Sequence, residues 1–217
     1  MKKLIQILPL LLCVLMFGAC SDSGPASDSA VLQDVVMIED ITSTSTTFAV
    51  ALPKERDVAY LHSGKVVKGE GVEPGVCCLI RYTSPNPPYT SADIDLLGCY
   101  SIPNIVAGVQ DGEQYSDTPV YLISAWSFCN RIIMRMQLPY PANGRKLMLQ
   151  LDPATADTDE PTLRLIQHCP ESTDKSYMQS YTVAFNLDSI NVKKDWKGVK
   201  ISLNNSNLKE NVVNLNL

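Results

Sequence analysis

Along most of this chain, apolar and polar side chains alternate with a period of two. Ile132, Met134, Met136 and Leu138 alternate with Ile133, Arg135 and Gln137, and Tyr181, Val183, Phe185 and Leu187 with Thr182, Ala184, Asn186 and Asp188. The scheme repeats in Leu147, Leu149 and Leu151, in Leu163 and Leu165, in Val199, Ile201 and Leu203, and in Val213, Leu215 and Leu217. Successive side chains of a strand face opposite sides of a sheet, so this spacing predicts half-buried strands. Turn-forming runs separate them at Pro139 to Gly144, Asp152 to Pro161, Pro170 to Ser176 and Asn204 to Asn207. Short strands so spaced predict a sandwich or a barrel.

The first half carries a second set of strand-like runs: Val35 to Ile38, Phe48 to Leu52, Val58 to Leu61, Gly75 to Tyr82 and Leu97 to Val106. Five strands with an irregular middle suit a small barrel of the oligonucleotide/oligosaccharide-binding (OB) type. Between them, Thr42 to Thr47 is all Ser and Thr, and Ser84 to Pro88 cannot join a central ladder because proline lacks the N–H. Gly108 to Asp117 holds glycine and charge without an apolar run, which places a domain boundary there. The expected fold is all-β, a small OB-like β-barrel over residues 33–108 followed by an antiparallel β-sandwich over 115–217.

The N-terminus follows neither pattern. Lys2 and Lys3 precede the uncharged stretch Leu4 to Phe17. As a helix, that stretch would span ~21 Å, short of the ~30 Å hydrocarbon core, so a signal peptide over residues 1–19 is the better reading than a membrane span. Gly18-Ala19-Cys20 resembles the lipobox of bacterial lipoproteins, with Phe17 where leucine is commonest, and so marks Cys20 as the lipidated residue. Several acyl chains on one cysteine hold a protein firmly to a bilayer. Residues 20–32 then read as a small-residue tether. Its Asp28-Ser29-Ala30 resembles the short O-glycosylation signal of Bacteroidetes. The acidic Asp22 and Asp28 resemble, sparsely, that phylum's surface-export signal, and they lean the expected outer-membrane location toward the cell surface rather than the periplasmic side.

Composition narrows the function classes. With 45% hydrophobic and 19% charged residues the chain is neither disordered nor collagen-like. Its formal charge of −5 falls to −7 once the leader lysines are removed, leaving 16 basic against 23 acidic residues. Nucleic acid, whose phosphates call for a basic surface, is therefore not an expected partner.

Beyond Cys13 and Cys20, five cysteines remain, an odd number: Cys77, Cys78, Cys99, Cys129 and Cys169. Adjacent Cys77 and Cys78 would point to opposite faces of a strand, Cys78 with Val76 and Ile80 on the core face. Free buried thiols are the simpler reading, and a Cys129–Cys169 disulfide the sharper one. None shows a C-x-x-C spacing, and His62 and His168 stand apart, so no metal or cofactor is expected. Asp152, Asp157, Asp159 and Glu160 offer oxygen ligands without a calcium-loop spacing, and Asp93 with Asp95 lacks a third carboxylate to complete acid–base chemistry. Trp126, Phe128 and Tyr140 read first as core at a sandwich seam; as the alternative they are the candidate binding surface, because exposed aromatics stack on sugars or bases. No nucleophile motif accompanies either histidine, so the expectation is a protein without catalytic residues.

Three stretches carry a resemblance to the NigD-like proteins of Bacteroidetes: Gly75 to Tyr82 (GVCCLIRY), Asp95 to Ile105 (DLLGCYSIPNI) and Thr118 to Tyr140 (TPVYLISAWSFCNRIIMRMQLPY). The family pattern implies an OB-like domain followed by a β-sandwich. Where that pattern has glycines in a turn after an aromatic, this chain has Ser127-Phe128-Cys129-Asn130, in which Ser and Asn still permit a turn. The resemblance implies no activity. The expected function is a lipid-anchored, non-catalytic envelope protein with an envelope protein or a glycan as partner. The alternatives are bacteriocin immunity, suggested by the operon behind the family name, and glycan binding or processing.

Overall fold

The structure is a computed structural model that describes residues 30–52, 57–86, 90–109, 118–139, 145–168, 177–190, 192 and 196–216. Residues 1–29, with the expected signal peptide and Cys20, lie outside the described residues, and among those described no helix is long and apolar enough to cross a membrane.

Strands β1 (Val31–Ile41), β2 (Thr46–Ala51), β3 (Val58–Ser63), β4 (Cys77–Thr83) and β5 (Ala92–Ser101) form a closed barrel in the order β1-β2-β3-β5-β4. All pairings are antiparallel except β3 with β5. Period-two patterning fills it: Val36, Ile38, Phe48, Leu61, Ile80 and Ile94 are among the side chains packed inside. Tyr82 joins them and donates its hydroxyl to Asp34 Oδ2 at 2.8 Å. The Ser/Thr run turns the chain between β1 and β2, where Thr42 Oγ1 accepts the Ser45 N–H at 3.0 Å. No helix occupies the β3–β4 connection (residues 64–76). Val67 packs there on the barrel core instead, its N–H bonded to Oγ1 of fully buried Thr46 at 3.1 Å.

Two boundaries differ from the sequence reading. Val31 and Leu32, read as the end of the tether, already pair with Thr83 and Tyr82 in β1. The strand expected from Leu97 to Val106 starts at Ala92 and stops at Ser101, because Pro103 has no N–H to continue the ladder. The chain then leaves the barrel as β6 (Asn104–Val106) and β7 (Gly108–Val109), which pair in parallel with the later strands β12 (Met178–Asn186) and β10 (Lys146–Leu151).

The remaining strands are β8 (Tyr121–Phe128), β9 (Arg131–Pro139), β11 (Thr162–His168), β13 (Gly198–Leu203) and β14 (Val212–Asn216). They complete two sheets, β6-β12-β9-β8 and β14-β13-β11-β10-β7. Ile132, Met134, Met136 and Leu138 from one sheet and Leu149, Leu163, Leu165 and Ile201 from the other fill a shared core. Most pairings are antiparallel, with β11 and β13 parallel in addition to the β6 and β7 contacts. The β8 edge is covered rather than open. The Asn207 side chain accepts from the Leu122 N–H at 2.9 Å and donates to the Leu122 carbonyl at 2.8 Å, taking the place of a neighbouring strand.

The barrel and the first sheet meet face to face. Val35, Ala49 and Cys77 from the barrel pack on Phe128, Ile133 and Ala184 from the sandwich. This contact explains why both neighbouring cysteines are buried: Cys78 points into the barrel and Cys77 into the seam. Small residues (Ala49, Cys77, Ala184) bring the two backbones close, and one side chain uses the proximity. Asn104 accepts the Cys77 N–H at 2.9 Å and donates to the Cys77 carbonyl at 2.9 Å and to the Ile102 carbonyl at 2.9 Å.

Asn104→Leu keeps the volume and leaves both Cys77 backbone groups unpaired, which costs about 1–3 kcal/mol for each buried orphan. A loss of about 2–4 kcal/mol is expected in urea unfolding, and a loss below about 0.5 kcal/mol would show that the clasp is not structural.

Candidate functional site

Three of the residues singled out in sequence, Trp126, Phe128 and Cys129, lie on the β8–β9 hairpin. Phe128 pairs with Arg131, so the loop is the two residues Cys129 and Asn130, with φ of 45° and 55°. Two positive φ values define a type I′ turn, whose backbone twist matches that of the flanking strands. Asn tolerates this conformation; Cys129 occupies it without glycine's freedom. The turn missing its glycines is therefore made nonetheless. Cys129 is half-buried against the seam with a free thiol, and Cys169 lies outside the described residues.

Behind the turn sits a polar network around Arg131, a residue only 9% exposed. Its guanidinium donates to Asn186 Oδ1 at 2.9 Å, to the Asn130 carbonyl at 3.2 Å, to Asp188 Oδ2 at 3.4 Å and, across the seam, to the Gly75 carbonyl at 3.2 Å. Asn130 also donates its amide to Asp188. Burial works to raise the Asp188 pKa, but hydrogen bonds from Asn130 and Asn186 and the Arg131 charge outweigh it and hold the carboxyl below its usual range.

Phe128 is only 5% exposed and belongs to the seam rather than to an open surface. Trp126 is half-buried beside it, with the Arg135 guanidinium 5.5 Å from its ring centre, within cation–π range. Away from the barrel the same sheet face continues through Ser124, Arg135 and Thr182 to Tyr121, Gln137 and Ser180, aligned by register. Tyr121 is exposed there, so this strip combines aromatic rings with planar hydrogen-bonding groups. Tyr140 lies outside the described residues.

A second feature escaped sequence reasoning. A groove of about 540 Å³ opens between the 64–76 connection and the β4–β5 pair, lined by Lys65, Lys68, Val72, Leu96, Cys78 and Cys99 among others. Cys78 faces Ser101 and Cys99 faces Ile80, which sets the two thiols on one diagonal of the ladder. The signal was present as two cysteines of matching parity on consecutive strand-like runs, but only the register joins them.

The other chemical candidates serve the framework. Asp152 caps its own turn by accepting the Ala154 N–H at 2.9 Å. Asp159 pairs with Lys197 at 2.9 Å and Glu160 with Lys200 at 3.1 Å, which ties the acidic turn to β13 and its approach. The Lys197 hydrogen bond holds the Asp159 carboxyl below its usual range. Trp196, in the one basic cluster of the sequence, is buried in the sandwich core. Asp95 bonds Lys65 at 2.8 Å on the barrel wall, and His62 contacts Thr47 at 3.2 Å. Among the described residues, no three His, Cys, Asp or Glu side chains gather as metal ligands.

No protein-family model matches this chain, and no curated protein is similar to it. Solved structures do match. A Bacteroides vulgatus protein of unknown function, DUF1344, superposes with TM-score 0.67 at 14% identity, covering 87% of this chain and 91% of its own. A candidate lipoprotein from Bacteroides fragilis gives 0.61 at 11% identity, over 86% of this chain and 97% of its own. A NigD-like immunity protein from Bacteroides caccae gives 0.57 at 13% identity, over 89% of this chain and 93% of its own. The chain thus shares the fold of these proteins, a NigD-like one among them, over most of its length, and the resemblance read from the sequence is met in three dimensions. None of the three is described as an enzyme.

A depressed folded-state pKa contributes stability that is complete above the unfolded carboxyl's pKa, about 3.9, and vanishes as pH falls through the lower folded value. Stability is therefore expected to fall below pH ~4 in part through Asp188, and Asp188→Asn should flatten that arm of a urea-midpoint-versus-pH profile. An unchanged arm would remove Asp188 from the network's energetics.

Proposed function

We propose that this chain is a lipid-anchored, NigD-like protein of the bacterial cell envelope that acts by binding rather than by catalysis. The observation that carries the reading is Gly18-Ala19-Cys20 placed directly after an uncharged stretch too short to span a bilayer, ahead of a body whose β1 begins at Val31. The shared fold of the Bacteroides fragilis candidate lipoprotein supports it. So does the use of the candidate acidic and basic side chains in framework pairs. The outer membrane is the proposed destination, with the body facing outward. The partner is an envelope protein or a glycan, and the strip from Trp126 and Arg135 to Tyr121 is the face proposed to receive it.

Metabolic labelling with an alkyne fatty acid is expected to mark the wild-type chain in the membrane fraction and to leave Cys20→Ala unlabelled. A Cys20→Ala chain that still carries label in the membrane would sink the anchor. Protease added to intact cells should degrade the body if it faces outward, and survival of the body would place it on the periplasmic side.

A second reading is immunity to a bacteriocin, favoured by the fold shared with the Bacteroides caccae NigD-like immunity protein. Deleting the gene is expected to raise sensitivity to a co-resident strain's toxin; unchanged killing curves would dispose of it.

A further inference from the structure

Two of the cysteines of this protein sit on one diagonal of a ladder without being bonded. Cys78, on β4, is 2% exposed and points into the barrel; Cys99, on β5, is only partly buried, and both line the groove. Diagonal partners across an antiparallel ladder are ordinarily held apart. Here the register shifts beside them: Arg81 faces Gly98 while Tyr82 faces Leu96, so Leu97 is the extra residue of a bulge. A bulge sharpens the local twist, which draws one diagonal together. Both side chains face the same groove, and each thiol shifts the titration of the other.

We infer that Cys78 and Cys99 form a thiol–disulfide exchange site opening on the barrel groove, with a low-molecular-weight disulfide as its substrate and oxidant. Cys99, the more accessible of the pair, attacks one sulfur of the disulfide RSSR as its thiolate. A Cys99–SR bond forms, the S–S bond of the substrate breaks, and RS⁻ leaves and takes up the proton that Cys99 released. Cys78 then gives up its proton and attacks the Cys99 sulfur, forming the Cys78–Cys99 bond and expelling the second RS⁻, which that proton converts to RSH. The protein dithiol loses two electrons and two protons, and RSSR becomes two RSH.

The surroundings sort the described cysteines in the same order. The neighbouring Cys78 thiol lowers the Cys99 pKa, whereas Cys99 and burial raise that of Cys78, which marks Cys99 as the attacking thiol of the two. Burial pushes Cys77 up to about 11, against the Arg131 charge, and it also raises Cys129. The groove supplies the approach; Lys68 and Glu70 both line it and Lys65 is held by Asp95, a mixed rim that suits a small disulfide carrying charges of both signs, such as oxidised glutathione. The inference does not rest on the proposed anchor.

The test incubates the full chain with oxidised glutathione, quenches in acid, blocks free thiols with an alkylating agent and maps the peptides by mass spectrometry. Wild-type protein is expected to give a Cys78–Cys99 linked peptide that is two hydrogens lighter than the free pair. In Cys78→Ala, which keeps a small apolar side chain in the core, a single glutathione should accumulate on Cys99 because no thiol resolves it. Cys99→Ser should abolish both products. The inference is overturned if wild-type protein pairs other cysteines while Cys78 and Cys99 stay reduced. It is equally overturned if a Cys78→Ala chain with wild-type circular dichroism carries no adduct on Cys99.

Discussion

The seam between barrel and sandwich is the constraint on which the rest of this structure depends. A closed five-stranded barrel alone would turn the outward residues of β1, β2 and β4 to water. Here Val35, Ala49 and Cys77 are buried by Ile133 and Ala184 instead. Burying a strand's outer face removes water from its backbone, so the polar groups at the start of β4 need partners from across the contact. Asn104 supplies them at Cys77 and Arg131 at Gly75. Both residues also belong to the sandwich ladders, one in β6 and one in β9, so the same side chains that dock the lobes fix the register of the sheet they come from.

Much of the fold was legible because its strands obey the period of two. β9 and β12 run as the alternation predicts, and their core-facing members are buried, fully in β9 and at Val183 and Phe185 of β12 and partly at Tyr181. β8 gave no such signal because its register shifts between Leu122 and Ser124. The inserted Ile123 breaks the parity, so Leu122 and Ala125 face the core although three positions part them. β6 and β7 were too short for any periodicity to register, and their parallel pairing is a long-range fact that local sequence does not carry. The halt at Ser101 was written in Pro103, but the proline reads equally as an edge position.

The candidate site was legible in part. Trp126 and Phe128 stand out in the sequence as aromatics of either a core seam or a binding surface, and alternation cannot say whether the outward face of a strand meets solvent or another lobe. The structure divides them, Phe128 to the seam and Trp126 to its margin. The paired thiols were invisible for a different reason. Each sits on its own strand with correct parity, and their meeting depends on a one-residue bulge that has no local signature. A disulfide search by spacing sees only loop length, whereas proximity here is set by ladder twist.

The place of β6 has a consequence for how the chain comes to be folded. β6 pairs with β12, with Asn104 opposite Ala184, so a chain that arrives N-terminus first delivers the two partners about 80 residues apart. The barrel can close as soon as β5 has emerged, since all its ladders lie within Val31–Ser101. Its apolar docking face, with Cys77 at the centre, must then wait uncovered until the last third of the chain arrives. Long-range pairing of this kind is slow, and an exposed patch invites unwanted association meanwhile. A chain that arrives N-terminus first thus presents this apolar face before its cover exists, a natural client surface for a chaperone.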